Sequence, residues 1–457
     1  MTQTDSIEPV EESISVQIRT AVAESDADRL AGLLDPLSYS DALREVLALS
    51  PDDRNKVLEL VPAELAAELI EEAPNEVAVD MVERLEPDRA AEILEELDSD
   101  IKADVIGEMD EEDAEAILSE MDEEDAADVR RLATYDDESA GGLMMSEVFA
   151  FPDTATVGKV LRELASDDEE FERYRGQHPY VTNEDGHPVG VVSLRGLLTA
   201  KRSALLTTIM MEPLAVNVET SLVELEDIFA EHPFLGVPVV DAAGVLVGVV
   251  SRSAVADAVL ERSETESLKR QGVVGDELRS MPLWLRSRRR LAWLSANIVL
   301  NIIAASVISA YEETLAAVIA LAVFLPMVSD MSGCSGNQAV GVTMRELSLG
   351  LVRPMDAVRV WVKEISVGVI NGIALGILIG IVAWAWKGNP ALGLVIGLAL
   401  ALNTMLAVSI GGVVPLLLKR VGQDPAAASG PLLTTITDMA GFFFVLSFAT
   451  LMMPWLT

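Results

Sequence analysis

The chain has 457 residues and a formal net charge of −41, and the charge is unevenly placed: from Met281 onward there are 11 basic and 8 acidic residues, against 33 and 74 in the whole. The first 280 residues are therefore intensely acidic, which argues against nucleic acid as a partner and for cations, the plain alternative being solubility or a salt-rich host. One cysteine, Cys334, leaves no disulfide framework, and with no basic apolar signal region the N-terminus is expected to stay in the cytoplasm.

Residues 1–14 read as a disordered tail and 15–135 as an all-α acidic solenoid. Val61, Ala73, Leu85, Leu97, Met109 and Met121 recur every twelve residues, each followed eight residues later by Leu69, Met81, Ile93, Val105, Ile117 or Val129. Small residues fill the step at Ala66, Ala78, Ala90, Ala114 and Ala126. Each unit predicts a short turn opened by proline or by carboxylates, which suit the positive end of a helix dipole, and then about two helical turns. Units this short bury a face only by stacking, so a superhelix is expected. The near-verbatim stretches Met109–Ala114 and Met121–Ala126 are weak divalent-cation sites or a solvated charged face.

Residues 137–262 contain two related halves. Gly190-Val191-Val192-Ser193 recurs as Gly248-Val249-Val250-Ser251, and Met144-Met145, read as a helix-like turn, is answered by Met210-Met211. Asp185-Gly186 opens a hairpin in the first half. The pattern resembles a tandem pair of CBS domains, an α/β fold, and that resemblance implies face-to-face docking and an adenine nucleotide such as ATP as ligand. No glycine-rich phosphate loop is present. His178, His187 and His232 each precede a proline without metal-ligand spacing, and read as surface or packing residues.

A connecting helix is expected within residues 254–290. Ala254 to Arg270 carries Asp257, Glu261, Glu264 and Glu266 before Lys269-Arg270, the charge order a helix dipole favours. Arg286, Arg288, Arg289 and Arg290 then mark a cytoplasmic face.

Residues 291–457 read as a five-span α-helical membrane domain: Leu291 to Ala310, Leu315 to about Gly336, Ile365 to Trp386, Ala391 to Leu418 and Pro431 to Leu456. Basic connections alternate with the segments at Tyr311–Thr314 and Lys387–Pro390, which sets the N-terminus inside and the C-terminus outside. Asp438 is the only charge in the last span, with Thr434, Thr435 and Thr437 on the turn before it and no basic residue within two turns. A carboxylate at that depth costs at least ~2.5 kcal/mol, so it faces a polar pathway or else a hydrogen bond between helices. The stretch Asp330 to Gln338, which includes Cys334 and Asn337, reads as a polar, glycine-rich break in the second span. From the helical rise, Asp330 lies about 22 Å from one face and Asp438 about 10 Å from the other, which brings both carboxylates to one level of a core about 30 Å thick. They are placed to share an ion or a proton, unless Asp330 merely points at the interface.

The order of parts, with Tyr311-Glu312-Glu313-Thr314, Asp424-Pro425 and Thr435 to Gly441, resembles the MgtE-type magnesium channels over almost the whole chain. The resemblance implies a homodimer in the cell membrane, a pore lined by spans two and five, and a hydrated Mg2+ held at Asp438, with Asp330, Thr434, Thr437, Asn337 and Cys334 as further candidate ligands. It also implies gating by Mg2+ bound between the cytosolic domains, for which Asp257, Glu261 and Glu266 are the candidates on the connector. Where the family carries Gly-Gly-Asn-x-Gly-x-Gln, this chain has Ser332-Gly333-Cys334-Ser335-Gly336-Asn337-Gln338, so a thiol replaces an amide and Co2+, Zn2+ or Mn2+ are expected to be less well excluded. No motif for ATP hydrolysis is present. An ion-coupled transporter or exporter and a membrane-anchored cation sensor are the alternative functions.

Overall fold

The computed structural model describes residues 13–165, 178–273, 277–279 and 281–457. Most of the expected tail at 1–14 lies outside the described residues. Contacts divide the chain into two compact units, one ending at Arg262 and the other made of 263–277 with 281–457, while residues 278–280 group with the first.

The acidic segment is helical throughout: α1 (Ile14–Glu24), α2 (Ala27–Leu34), α3 (Tyr39–Leu47), α4 (Pro51–Leu60), α5 (Ala63–Glu71), α6 (Asn75–Val82), α7 (Pro87–Glu95), α8 (Ser99–Glu108), α9 (Glu111–Leu118) and α10 (Glu123–Leu132). From α4 to α10 the helices begin twelve residues apart, as the repeat predicts. Proline opens α4 and α7, and carboxylates occupy the first turn of every helix from α4 to α10. Alternate helices stack, α5 on α7 on α9 and α6 on α8 on α10, and the residues at the eighth step are buried from Leu69 to Val129. The periodicity hides one substitution: where other units have alanine, Arg54 and Lys102 stand, 5% and 3% exposed. Their stems pack in the interior and cover apolar surface as a smaller residue cannot.

The paired module follows with two sheets. Strand β1 (Met144–Met145) pairs antiparallel with β7 (Leu246–Ser251), which pairs in turn with β6 (Gly236–Val240), itself parallel to β5 (Val216–Asn217). The other sheet has β2 (Ala150–Pro152), β3 (Tyr180–Thr182) and β4 (Pro188–Val191) in that order. Met144-Met145 is thus a strand and not a helix-like turn, because its backbone completes an edge that β7 would otherwise expose. The exchange is reciprocal, since Met211 bridges to Val191 in the first half's sheet. The repeated Gly-Val-Val-Ser acquires a physical reason at each position. A Cβ on Gly248 would sit 2.7 Å from the Met144 sulfur, and one on Gly190 2.3 Å from that of Met210, so each glycine is the seat of a methionine. The valines after them supply core residues, Val192, Val249 and Val250. Each serine accepts a backbone N–H at the start of the next helix, Ser193 from Gly196 and Ser251 from Ala254.

After helices α11 (Val157–Glu163), α12 (Leu194–Thr199) and α13 (Leu222–Glu231), the connector is α14 (Arg252–Arg270). It stops at Arg270, well short of residue 290, because Gly272 turns with φ +77 and lies against Trp293. The four arginines belong to the first turns of α15 (Leu283–Ala310). Arg286 and Arg290 both bond Glu277, whose side chain is 3% exposed, and hydrogen bonds from the two guanidiniums hold its carboxyl below the usual range.

The remaining α-helices are α16 (Glu312–Ala317), α17 (Leu321–Ser348), α18 (Ala357–Lys387), α19 (Pro390–Arg420), α20 (Pro425–Leu451) and the short α21 (Met453–Leu456). Among the described residues four helices are long and apolar enough to cross a membrane, α15 and those over Pro354–Lys387, Pro390–Arg420 and Ala428–Leu451. The fifth expected span is α17, 28 residues long but too polar to stand in that set. Two sequence expectations change here. The interruption lies at residues 318–320, between α16 and α17, and the glycine-rich stretch from Asp330 to Gln338 is continuous helix. Glycine in a helix costs about 1 kcal/mol relative to alanine. Here it lets neighbours in: a Cβ on Gly411 of α19 would lie 2.3 Å from the Gly336 carbonyl oxygen, and one on Gly336 2.8 Å from Leu433 of α20. Close helix approach through small residues is how membrane helices associate without a hydrophobic drive. Phe324, Val328, Leu392, Ile396, Val445 and Leu446 form the buried centre of this bundle.

Candidate cation pathway

The i, i+4, i+7 spacing of Asp330, Cys334 and Asn337 puts them on one face of α17. That face, together with Thr434 and Asp438 of α20, lines a cavity of 610 Å³ whose other walls are largely apolar. Asp330, Cys334, Asn337 and Thr434 are exposed in the single chain and Asp438 is half-buried. Asp330 and Asp438 both line this one cavity. Asp438 also accepts a hydrogen bond from the Ser329 hydroxyl.

Thr437 is not on this wall. It is fully buried, its hydroxyl bonds the Thr434 carbonyl at 3.0 Å, and its own carbonyl accepts from the Asn403 side-chain amide at 3.0 Å. The helical period rotates Thr437 about 100° away from Asp438. Two residues that sequence reasoning missed thus hold the site, Ser329 from the same helix as Asp330 and Asn403 from α19. An asparagine inside an otherwise apolar span was the available signal for Asn403.

On the connector, Asp257 and Glu261 are one turn apart on α14, whereas Glu266 is rotated about 180° from Asp257 by the helical period. The structure does not bring the three together on one face. Glu261 belongs instead to an acidic group with Asp100, Asp104 and Glu108 of α8 and with Asp137. Asp104 keeps an open outer surface, yet enough protein packs around it that desolvation, and then the neighbouring negative charges, push its carboxyl up to about 8. Sequence reading passed over Asp104 because one more acid in an acidic repeat carries no mark. Among the described residues no three His, Cys, Asp or Glu side chains converge to hold a metal ion by themselves. The acidic openings at Met109–Ala114 and Met121–Ala126 form the starts of α9 and α10.

A bundle of helices long and apolar enough to cross a membrane, with two carboxylates on one cavity, an acidic helical solenoid and a CBS pair, has the plan of a membrane transporter with cytosolic domains. A family described as divalent cation transporter matches residues 325–448, the MgtE intracellular N domain matches 37–138, and the CBS domain matches 140–203 and 206–261. The magnesium transporter MgtE of Thermus thermophilus is 36% identical over 337 residues, covering 72% of this chain and 73% of that protein. That of Enterococcus faecalis is 30% identical over 327 residues, covering 71% and 72%. A solved cytosolic domain of the Mg2+ channel MgtE in complex with ATP is 32% identical, with a TM-score of 0.49, covering 53% of this chain and 99% of that one. The chain belongs to the MgtE family of magnesium transporters.

Proposed function

We propose that the protein is a Mg2+ channel of the cell membrane, acting as a homodimer, in which Asp438 faces a hydrated ion and intracellular Mg2+ at the cytosolic domains closes the pathway. The observation that carries this reading is the meeting of Asp330 and Asp438 on one cavity wall, with Ser329 bonded to Asp438. Mg2+ surrenders water reluctantly and takes one or two carboxylates with its remaining shell intact, so a sparse, oxygen-rich site suits it better than a cage. Two carboxylates in one copy and two in a second would surround such an ion symmetrically. The N-terminus lies inside and the C-terminus outside in this reading, with Arg345, Arg353, Arg359, Lys419 and Arg420 on the cytoplasmic side. ATP at the CBS pair belongs to the same reading, supported by the CBS family match, and calorimetric titration of the full chain tests it.

The test is divalent-ion flux into liposomes. Asp438→Ala and Asp438→Asn are each expected to lower Mg2+ flux by at least about tenfold, the ratio that ~1.4 kcal/mol produces. Flux retained in both variants overturns the assignment. Unitary currents separate the channel from the coupled carrier that a shared proton on two carboxylates would serve.

A further inference from the structure

Helices α18 and α19 pack along their length as a hairpin. They pack through facing glycines: a Cβ on Gly376 would lie 2.6 Å from the Gly397 carbonyl oxygen, and one on Gly393 2.5 Å from that of Gly380. The floor is therefore bare backbone, and Ile377, Ile381 and Trp384 on one side with Leu394 and Leu398 on the other stand above it as walls of an apolar slot of 430 Å³. All five wall residues are exposed. From Ile373 to Trp384 the slot runs eleven residues, or about 17 Å at the helical rise. Half of a bilayer core is about 15 Å, so the slot has the length of one leaflet.

At Pro390 the slot joins a recess of 570 Å³ formed by Lys387, Gly388, Asn389, Met452 and Trp455. Asn389 is occupied there: its amide donates to the Trp455 carbonyl at 3.1 Å and its oxygen caps α19. Lys387 is the one charged residue of the recess, with its ammonium 5.7 Å from the centre of the Trp386 ring. A one-leaflet apolar channel that ends at a single cation is amphipathic in the sense of a lipid, with its tail along the helices and its charge at the turn. We propose that this surface seats one anionic phospholipid, its phosphate at Lys387 and one acyl chain along the glycine floor. The inference goes beyond the transport reading and requires only that α18 and α19 cross a bilayer.

Native mass spectrometry of the full-length protein in mild detergent tests it, with phosphatidylglycerol and phosphatidylcholine of the same acyl chains as the probes. The wild type is expected to retain one phosphatidylglycerol per chain under activation that strips phosphatidylcholine. Lys387→Gln is expected to lower that preference about fivefold, the ratio given by about 1 kcal/mol per basic residue near an anionic surface. Leu394→Trp, which fills the slot from an exposed position, is expected to abolish retention of phosphatidylglycerol. Equal retention of the two lipids by the wild type overturns the proposal, as does wild-type retention in both variants. So does efficient inter-chain disulfide formation by Leu394→Cys in a Cys334→Ser background, which would show a second copy occupying the slot.

Discussion

Lys269, in the last turn of α14, stands 3.5 Å from the carboxylate of Asp424, the residue that caps the first turn of α20. The carboxylate uses one oxygen for this contact and the other to accept the Ala426 backbone N–H at 2.7 Å. One side chain thus fixes the start of the helix that carries Asp438 and meets the end of the connector. Asparagine preserves the cap and removes the charge, whereas alanine removes both. Under the proposed closure by intracellular Mg2+, Asp424→Asn is expected to shift the closing concentration by up to about fivefold, because a pair this exposed contributes at most about 1 kcal/mol. The shift should shrink as salt is raised. Flux measured against internal Mg2+ at two ionic strengths checks it, and an unmoved closing concentration at low salt counts against the coupling.

Asn403 and Gly441 form a second constraint around Asp438. A Cβ on Gly441 would lie 2.7 Å from the Asn403 side-chain nitrogen, which donates to the carbonyl of Thr437, the residue just before the carboxylate. Gly441→Ala is therefore expected to push α19 and α20 apart and reduce flux, and Asn403→Ala to reduce it by loss of the bond. Combining the two relieves the clash, so the double variant should lose less than the sum of the singles, by about 1 kcal/mol, as residues in contact do. Additive losses would show that the two residues act separately.

Much of this architecture was legible because it is periodic. Seven helix starts follow a twelve-residue repeat that Leu69, Met81 and Ile93 announce, and four of the five expected spans stand out by their apolar length. What remained hidden depended on packing between elements. Helix propensity counts glycine as a breaker, so Asp330 to Gln338 read as a break, although Gly336 is the surface against which Gly411 and Leu433 lie. Thr437 shared a sequence neighbourhood with Asp438, yet a rotation of one residue sends it to Thr434 and Asn403 and away from the cavity. Arg54 and Lys102 broke the alanine pattern without breaking the burial pattern, because long stems pack as well as methyl groups when the head finds a partner.

Asp104 predicts a pH dependence in the cytosolic domains. Its carboxyl is raised to about 8, first by desolvation and then by Asp100, Asp137, Glu261 and Glu108. A group whose folded pKa is raised binds its proton more tightly in the native state. Its stabilising contribution is therefore fully present below about 4 and is lost as pH rises toward 8. Asp104→Asn is expected to raise the melting temperature of the cytosolic transition at pH 8 and to make no difference at pH 4. Mg2+ should raise it at pH 8 in the wild type by screening the same charges. A variant that melts with the wild type at both pH values would mean that the acidic group is fully solvated.

The last prediction concerns which ions pass. Asp330 and Cys334 are one turn apart on α17, both exposed on the cavity that Asp438 also lines. A carboxylate alone favours hard cations that keep their water, whereas a thiolate one turn away adds a soft donor, and soft donors favour Zn2+ and Co2+ over Mg2+. Replacing both residues, Asp330→Gly with Cys334→Asn, removes the soft donor and one of the two charges. The ratio of Zn2+ to Mg2+ flux is then expected to fall by about tenfold, equivalent to ~1.4 kcal/mol of discrimination. Cys334→Asn alone should produce most of that change. A selectivity series for Mg2+, Mn2+, Co2+ and Zn2+ that is the same in all three proteins would mean that the thiol does not meet the ion, and that discrimination is set by hydration at Asp438 alone.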